Sequence, residues 1–258
     1  MREDGLEKAI AAAGGVSALS RALGVSQPTV SNWRRIPPER VLAVESATGV
    51  SRSDLRPDLY PATPSGNPVD EIDLARAAEY RLLAALFARA PKADHLARVA
   101  QIRGDSSPLG MAHLELAAAA GRAEPDLVDR EYFDLFIGVG RGEFLPYGSY
   151  YQAGFLNDRP LARLRADLRA LGIEKADPIG DPEDHIAGLC EAMAGLADGT
   201  FPAESEAQQH VFERHLKPWA GRFFADVAAS ERADFYRAAA RVGGLFIEIE
   251  TQAFALER

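Results

Sequence analysis

Asp181-Pro-Glu-Asp-His-Ile-Ala-Gly-Leu-Cys-Glu-Ala-Met-Ala-Gly-Leu-Ala-Asp198 is the stretch whose pattern decides the fold. Asp181 reads as an N-cap, because its carboxylate can accept from backbone N–H groups left unpaired in a first helical turn. Pro182 suits the first helical position, where a missing N–H costs nothing. Glu183 and Asp184 place negative charge at the positive end of the helix dipole. Ile186, Leu189, Cys190, Met193 and Leu196 then recur at helical spacing and form one broad apolar face. Gly188, Ala192 and Gly195 form a second stripe of small side chains, where another helix can approach closely. Glu183, Asp184, Glu191 and Asp198 are left for the wet side. A helix so nearly surrounded needs a larger helical core around it.

Within this stretch Asp184 and His185 diverge by about 100° on a helix. Asp184 is expected on the acidic face and His185 beside Leu189. A first-turn capping acid with a boundary histidine is one reading, and a binding or catalytic pair is the other.

The chain around it has 258 residues, room for one large or two small domains, and an ordinary globular composition with 47% hydrophobic and 26% charged residues. A single cysteine, Cys190, excludes an internal disulfide and any multi-cysteine metal site. It falls on the apolar face and is expected as a packed thiol. No apolar run is long enough to span a bilayer. The first residues carry Glu3, Asp4 and Glu7 with no apolar signal core, so a cytoplasmic location and no membrane partner are expected. Charge is unevenly divided. Residues 1–60 hold 8 Lys+Arg against 7 Asp+Glu, net +1, and the remainder holds 21 against 31, net −10. The acidic part disfavours nucleic acid and suits basic partners.

Ser17-Ala-Leu-Ser-Arg-Ala-Leu-Gly-Val-Ser-Gln-Pro-Thr-Val-Ser-Asn-Trp33 reads as a helix-turn-helix, with helices over 17–23 and 26–33. Leu19, Ala22, Leu23, Val25, Val30 and Trp33 are placed to hold the helices together. Gly24 allows the turn between them, and Ser26 can cap the second. Gln27, Thr29, Ser31 and Asn32 remain as polar groups able to face base edges, with Arg34 and Arg35 placed for phosphates. The segment resembles the Cro-like helix-turn-helix domains of the YdaS type over nearly all of residues 5–58, which makes double-stranded DNA the expected partner. A net charge of +1 is low for phosphate neutralisation, and a homodimer would supply a second copy. Pro57, Pro61, Pro64 and Pro68 with Ser65 and Gly66 mark a linker. The expected boundaries are 1–58, a linker over 59–69, and 70–258.

From Asp70 onward the signals are helical. Ala75, Leu82, Leu83, Leu86 and Phe87 mark one helix, stopped near Pro91, and Leu96, Val99 and Ala100 a second. Pro108 opens the next, with Leu109, Ala112, Leu116 and Ala120 inward, and Pro125 one more, with Val128, Phe133, Leu135 and Phe136. Leu161, Leu164, Leu168 and Leu171 mark another, and 203–217, 218–230 and 231–256 follow the Asp181 helix. The fold class is all-α. Between Gly138 and Gly154 the periodicity lapses into a glycine-rich and then aromatic stretch. A phosphate loop there is poorly supported, since no strand precedes it and no Gly-Lys-Ser/Thr follows. A long ordered loop displaying Tyr147, Tyr150 and Tyr151 is expected instead.

Five motifs occur in order: Glu131-Tyr-Phe-Asp-Leu-Phe-Ile-Gly138, Leu145-Pro-Tyr-Gly-Ser-Tyr-Tyr151, Arg159-Pro-Leu-Ala-Arg-Leu-Arg165, Asp181-Pro-Glu-Asp-His-Ile186 and Phe212-Glu-Arg-His-Leu-Lys-Pro-Trp219. The series resembles the TorD/DmsD/NarJ family of redox-enzyme maturation chaperones over about residues 70–256. It departs in having Asp181-Pro182 where the family has Glu-Pro, and in the fused helix-turn-helix. The resemblance implies an all-helical chaperone, not an enzyme, without a cofactor. It implies binding of the twin-arginine signal peptide or body of an apo-molybdoenzyme precursor before cofactor insertion and export, with a formate-dehydrogenase-type client within the family's range. Asp184 and His185 match the family's signal-peptide-binding positions. Glu183, Asp184 and Glu191 are placed to meet the two arginines, and Tyr147, Tyr150, Leu189 and Trp219 the apolar part of the peptide. Glu131 and Tyr132 are expected to keep the fold. No nucleophile motif accompanies Asp184 and His185, and His210 and His215 are five apart, off the i, i+4 spacing of a helical metal pair, so neither catalysis nor zinc is expected. The alternative function is a transcriptional regulator whose acidic domain senses a client or ligand.

Overall fold

The computed structural model describes residues 4–60, 70–175 and 180–256. Its regular elements are all helical, and among the described residues no strand forms. The chain divides into two units, residues 1–65 and 66–258, each with its own core.

The first unit comprises α1 (Asp4–Ala12), α2 (Val16–Ala22), α3 (Gln27–Ser31), a 3-10 turn (Pro38–Arg40), α4 (Val41–Thr48) and α5 (Arg52–Leu55). Leu6, Ala9, Leu19, Val30, Ile36, Val41, Val44 and Leu55 are buried at its centre, with Leu23, Val25 and Trp33 packed at the margin. Gly24, at φ 65, makes the turn between α2 and α3. Ala22 is exposed and does not join the core as expected. The second helix is shorter than expected, because the Trp33 N–H returns to the Val30 carbonyl at 3.2 Å and the indole folds onto the core. Ser26 occupies the N-cap position, but its hydroxyl pairs with the Thr29 hydroxyl at 2.7 Å. Leu59 and Tyr60 are not linker. Both N–H groups return to the Arg56 carbonyl, and Tyr60 packs on the core. The other expected linker residues, 61–69, lie outside the described residues.

The second unit contains α6 (Glu71–Ala88), α7 (Ala93–Val99), α8 (Pro108–Arg122), α9 (Pro125–Tyr132), α10 (Gly148–Ala153), α11 (Arg159–Ala170), α12 (Ile186–Ala197), α13 (Ser205–Val211), α14 (Ala220–Ala229) and α15 (Phe235–Leu256). One π turn (Phe133–Ile137) extends α9 and another (Phe212–Leu216) extends α13, each closed by an i→i+5 bond: Gly138 N–H to Phe133 O at 2.7 Å and Lys217 N–H to Phe212 O at 2.8 Å. Pro218 follows the second and separates it from α14, as expected. Helix α12 is buried on almost every side and lies against α6. Its small-residue stripe serves a different purpose from the one expected: a Cβ on Gly195 would stand 2.4 Å from the Phe201 ring, so the space admits an aromatic side chain returning from the helix end. Ala75 and Phe133, which mark their helices in the sequence, are exposed.

Phe87 of α6 is the hub of an aromatic core, edge-on to Phe136, Phe223, Phe224 and Tyr236 at centroid distances of 5.4–5.8 Å. Such pairs add about 0.5–1.5 kcal/mol each beyond area burial. Polar groups fix the helix ends around it. The Glu131 carboxylate accepts from the Asp234, Phe235 and Tyr236 N–H groups at 2.8, 3.2 and 2.9 Å, capping α15 from another element. The Tyr132 hydroxyl donates to the Ala88 carbonyl at the end of α6 at 3.1 Å. Both residues thus hold the fold, as the resemblance implies. Arg76 of α6 forks onto Glu250 of α15 with two 2.8 Å bonds, and the Tyr80 hydroxyl donates to the same buried carboxylate at 2.8 Å. The ion pair fixes the register of α15 on α6, because a slip would leave Glu250 buried and unpaired.

Removing the Glu131 cap takes the acceptor from three N–H groups at the start of α15, those of Asp234, Phe235 and Tyr236. Glu131→Ala should cost about 2 kcal/mol, and Glu131→Gln, which keeps one acceptor, less. By calorimetry of the full chain the melting temperature of the larger unit should fall by about 4–8 °C for the alanine variant.

Candidate functional site

The loop over 181–185 and the segment over 146–149 meet in an isolated antiparallel bridge between Tyr147 and His185. Gly148 N–H donates to the Asp184 carbonyl and Ile186 N–H to the Pro146 carbonyl, both at 2.8 Å. The Asp184 carboxylate adds a third bond, accepting from Ser149 N–H at 2.6 Å through Oδ2. Ser149 is in the first turn of α10, so Asp184 caps that helix across space. Helix α12 therefore begins four residues later than expected. Residues 181–184 turn aside to reach α10, and His185 takes the cap position, its Nδ1 accepting from Ala187 N–H at 3.1 Å. Neither side chain lies where the helical reading placed it: Asp184 is 3% and His185 4% exposed.

Beneath the bridge is Trp219, buried and donating from Nε1 to the His215 carbonyl at 2.7 Å. A Cβ on Gly148 would stand 2.9 Å from that indole nitrogen, so only glycine lets α10 start this close to it. Tyr151 covers the indole, with ring centroids 5.5 Å apart, and its hydroxyl donates to Asp226 at 3.1 Å. Leu189, like Trp219, is 1% exposed. Both were expected to line a groove for apolar peptide residues, and both are instead core, Leu189 on the buried face of α12 and Trp219 beneath Gly148 and Tyr151 of α10.

The accessible part of the site is the rim. Tyr147 is half-buried, packs edge-on to the His185 ring at 5.0 Å and donates to Asp181 Oδ1 at 2.7 Å. Burial and Asp181 push its phenol well above the usual range. Asp181 is exposed. Glu183 accepts from Arg165 Nε and Nη2 at 2.9 and 2.8 Å. Burial would raise its carboxyl, but a backbone N–H, Arg165 and Lys175 hold it below the usual range. Glu183 is thus already engaged by an arginine of the same chain. Glu191, a full turn and more along α12, is exposed. Tyr150 faces a cleft of about 390 Å³ shared with Arg141, Glu143, Phe144, Tyr151, Gly154, Arg222 and Asp226, with the Arg141 guanidinium over its ring at 5.0 Å. The expected long loop is therefore partly helical: α10 carries Tyr150 and Tyr151, and Tyr147 precedes it.

The sequence reading missed Ser149 and Asp181 as members of this site. Asp184 Oδ1 and Ser149 Oγ are both buried with no hydrogen-bond partner among the described residues. A buried acceptor left unpaired costs about 1–3 kcal/mol, so this corner is poised to receive a donor. The motif Tyr-Gly-Ser-Tyr-Tyr was visible, but the trans-capping of Ser149 by Asp184 joins residues 35 apart and has no local signal.

Elsewhere in this unit, the glycine-rich stretch Gly138–Gly142 lines a cleft together with Asp134, Glu143 and Glu231. Arg141 and Arg232 line the same cleft, so its three carboxylates face two guanidiniums. The spacing argument against the histidine pair does not hold in three dimensions, because the π turn over 212–216 brings His210 and His215 together onto Asp167.

In the first unit, Gln27, Thr29, Asn32, Arg34 and Arg35 are exposed and Ser31 is half-buried. The Gln27 amide reaches the Ser31 hydroxyl at 3.3 Å. Arg35 lies 3.6 Å from Asp58, so a phosphate would compete with that carboxylate. Asp58 is held at about 2, chiefly by the hydrogen-bonded guanidinium of Arg56.

Two family models match the chain. One, described as nitrate reductase delta subunit, matches residues 103–225, and the other, described as bacterial toxin YdaS, matches residues 6–64. The chaperone protein TorD of Vibrio cholerae is 31% identical over 146 residues, which cover 53% of this chain and 61% of the relative. The chaperone protein YcdY of Escherichia coli is 34% identical over 111 residues, covering 43% and 55%. The chain thus spans less than two thirds of either relative. A solved structure from Archaeoglobus fulgidus, described as a redox enzyme maturation protein, covers 67% of this chain and 93% of that one, at a TM-score of 0.49 and 20% identity. The larger unit is TorD-like and the smaller YdaS-like, in keeping with the sequence resemblance, and the curated relatives are named as chaperones. No helix among the described residues is long and apolar enough to cross a membrane.

Burial lowers the His185 pKa against the opposing pull of Asp181 and Asp184. A histidine with a depressed folded pKa binds protons better when unfolded, so its contribution is full above the ordinary value of 6.5 and is lost as pH falls through and below it. His185→Asn keeps an N-cap acceptor but cannot titrate. Its melting temperature should fall less than that of the parent chain between pH 7.5 and 5, measured by circular dichroism; parallel curves would show that His185 does not titrate in this range.

Proposed function

We propose, from a TorD-like unit joined to a YdaS-like one, that this chain is a maturation chaperone for a molybdoenzyme precursor, holding the precursor's twin-arginine signal peptide or apoenzyme body before cofactor insertion and export. It works in the cytoplasm, where such precursors are made. The observation that carries the reading is the Asp184–His185 corner: a stapled loop with an unpaired buried carboxylate oxygen, rimmed by Asp181 and Tyr147. A guanidinium is planar, permanently charged and rich in donors, and matches an acceptor of this kind. Asp181 and the Tyr147 ring meet the first arginine at the rim. Asp184 Oδ1 is reached if the 146–149 segment shifts on binding. Glu183 takes part by exchanging Arg165 for a client arginine. Tyr150 supplies an aromatic wall for apolar residues that follow the arginine pair.

The exposed face of α3 supports a second activity, binding of double-stranded DNA through Gln27, Thr29, Ser31 and Asn32 at base edges and Arg34 and Arg35 at phosphates. The chain is then a regulator as well as a chaperone if client binding alters operator affinity. By linkage the client must change DNA affinity by the same factor that DNA changes client affinity.

Isothermal titration of the full chain with a synthetic twin-arginine peptide tests the first reading. Asp181→Asn and Tyr147→Phe should each weaken binding severalfold with the helical circular dichroism intact, and a twin-lysine peptide should bind less tightly than the twin-arginine one. Unchanged affinity in both variants places the client elsewhere. For the second reading, DNA fragments enriched from genomic DNA by the full chain serve as probe. Asn32→Ala should lose about 1–3 kcal/mol of discrimination between specific and unrelated fragments, with peptide affinity unaffected. An unchanged gel shift removes Asn32 from the interface.

A further inference from the structure

A second cluster of chemistry-bearing side chains lies away from the Asp184 corner. Asp167 is on the partly accessible face of α11. His210 is in the last turn of α13 and His215 in the π turn that extends it. His215 Nε2 lies 2.7 Å and His210 Nε2 3.2 Å from the same oxygen, Asp167 Oδ2. The three ligand-type atoms all fall within 4.8 Å of one another. On a regular α-helix residues five apart diverge by about 140°. The extra residue of the π turn removes that divergence, so both rings face α11. The turn is held by the Lys217 N–H on Phe212 O and by the Trp219 indole on the His215 carbonyl, which fixes the backbone that carries His215.

We propose that Asp167, His210 and His215 form a binding site for one zinc-class divalent cation. Two imidazoles and a carboxylate are a donor set that zinc accepts, with bonds of about 2.0–2.2 Å and donor atoms about 3.3 Å apart in a tetrahedron. The spacings on Asp167 Oδ2, 2.7 and 3.2 Å, are near that value. In the bound form each Nε2 turns its lone pair to the metal and the ring proton resides on Nδ1, so no net proton change is needed when the rings are neutral. Exposure grades outward, from His215 at 4% through Asp167 at 23% to His210 at 50% of the side chain, which leaves an entry path and an open fourth position for water or a partner's ligand. Arg214 stands 3.7 Å from Asp167 Oδ2 and competes for it, but it is 47% exposed and can turn into solvent.

The full-length chain, stripped with a chelator and returned to metal-free buffer, is titrated with zinc chloride by calorimetry. One tight equivalent per chain is expected. His210→Ala and Asp167→Asn should each weaken it at least about tenfold, while His113→Ala, which removes a histidine paired with Glu79 at 2.6 Å, should leave it unchanged. Nitrogen-15 spectra of the imidazoles give a readout that does not depend on any variant folding: zinc should move the Nε2 signals of His210 and His215 and leave those of His95, His113 and His185 in place. Absence of a stoichiometric equivalent, equal zinc affinity in His210→Ala, or shifts at the other histidines instead would overturn the site.

Discussion

The bond from the Ser149 backbone N–H to the Asp184 carboxylate organises the corner where the 146–149 and 181–185 segments meet. It closes a loop of 35 residues and starts α10 against the buried Trp219 indole, where Gly148 alone has room. It also turns residues 181–184 away from the helix they would otherwise begin, so that His185 must cap α12. A carboxylate accepting from a backbone N–H in a buried place is strong because few waters compete for either partner. The same burial leaves Asp184 Oδ1 unpaired among the described residues.

Other long-range caps repeat the device. Glu131 closes the start of α15, Tyr132 the end of α6, and Glu250 is held by Arg76 and Tyr80. Each joins elements distant in sequence through a polar group that would be costly to bury alone. The aromatic hub around Phe87 supplies the non-directional part of the stability, and these bonds select one arrangement of helices from the many that would bury the same rings.

Two π turns mark where the helical pattern is interrupted. One hands α9 over to the glycine-rich segment, and the other brings His210 and His215 to one carboxylate. Such turns persist where a side chain is needed at an angle the α-helix does not offer. The second puts His210, His215 and the carbonyl held by Trp219 in one short segment, so the Trp219 floor of the Asp184 corner and the histidine pair share a backbone.

The sequence by itself determined the all-α class, the order and approximate extent of most helices, the helix-turn-helix, the inward Leu161, Leu164 and Leu168, the buried Cys190 and the structural use of Glu131 and Tyr132. These follow from local periodicity, capping chemistry and motif order, all of which act within a few residues. What only the tertiary structure decided involves pairs far apart in the chain. Asp184 reads locally as a first-turn acid in water, yet a backbone N–H 35 residues away draws it inside. Leu189 and Trp219 read as apolar groups free for a groove, yet the one faces the core from α12 and α10 covers the other. Gly195 reads as a seat for a helix and receives the ring of Phe201. His210 and His215 are out of phase on an α-helix and in phase across a π turn. In each case the local preference is worth about 1 kcal/mol or less, and burial with a satisfied hydrogen bond or a filled cavity outweighs it.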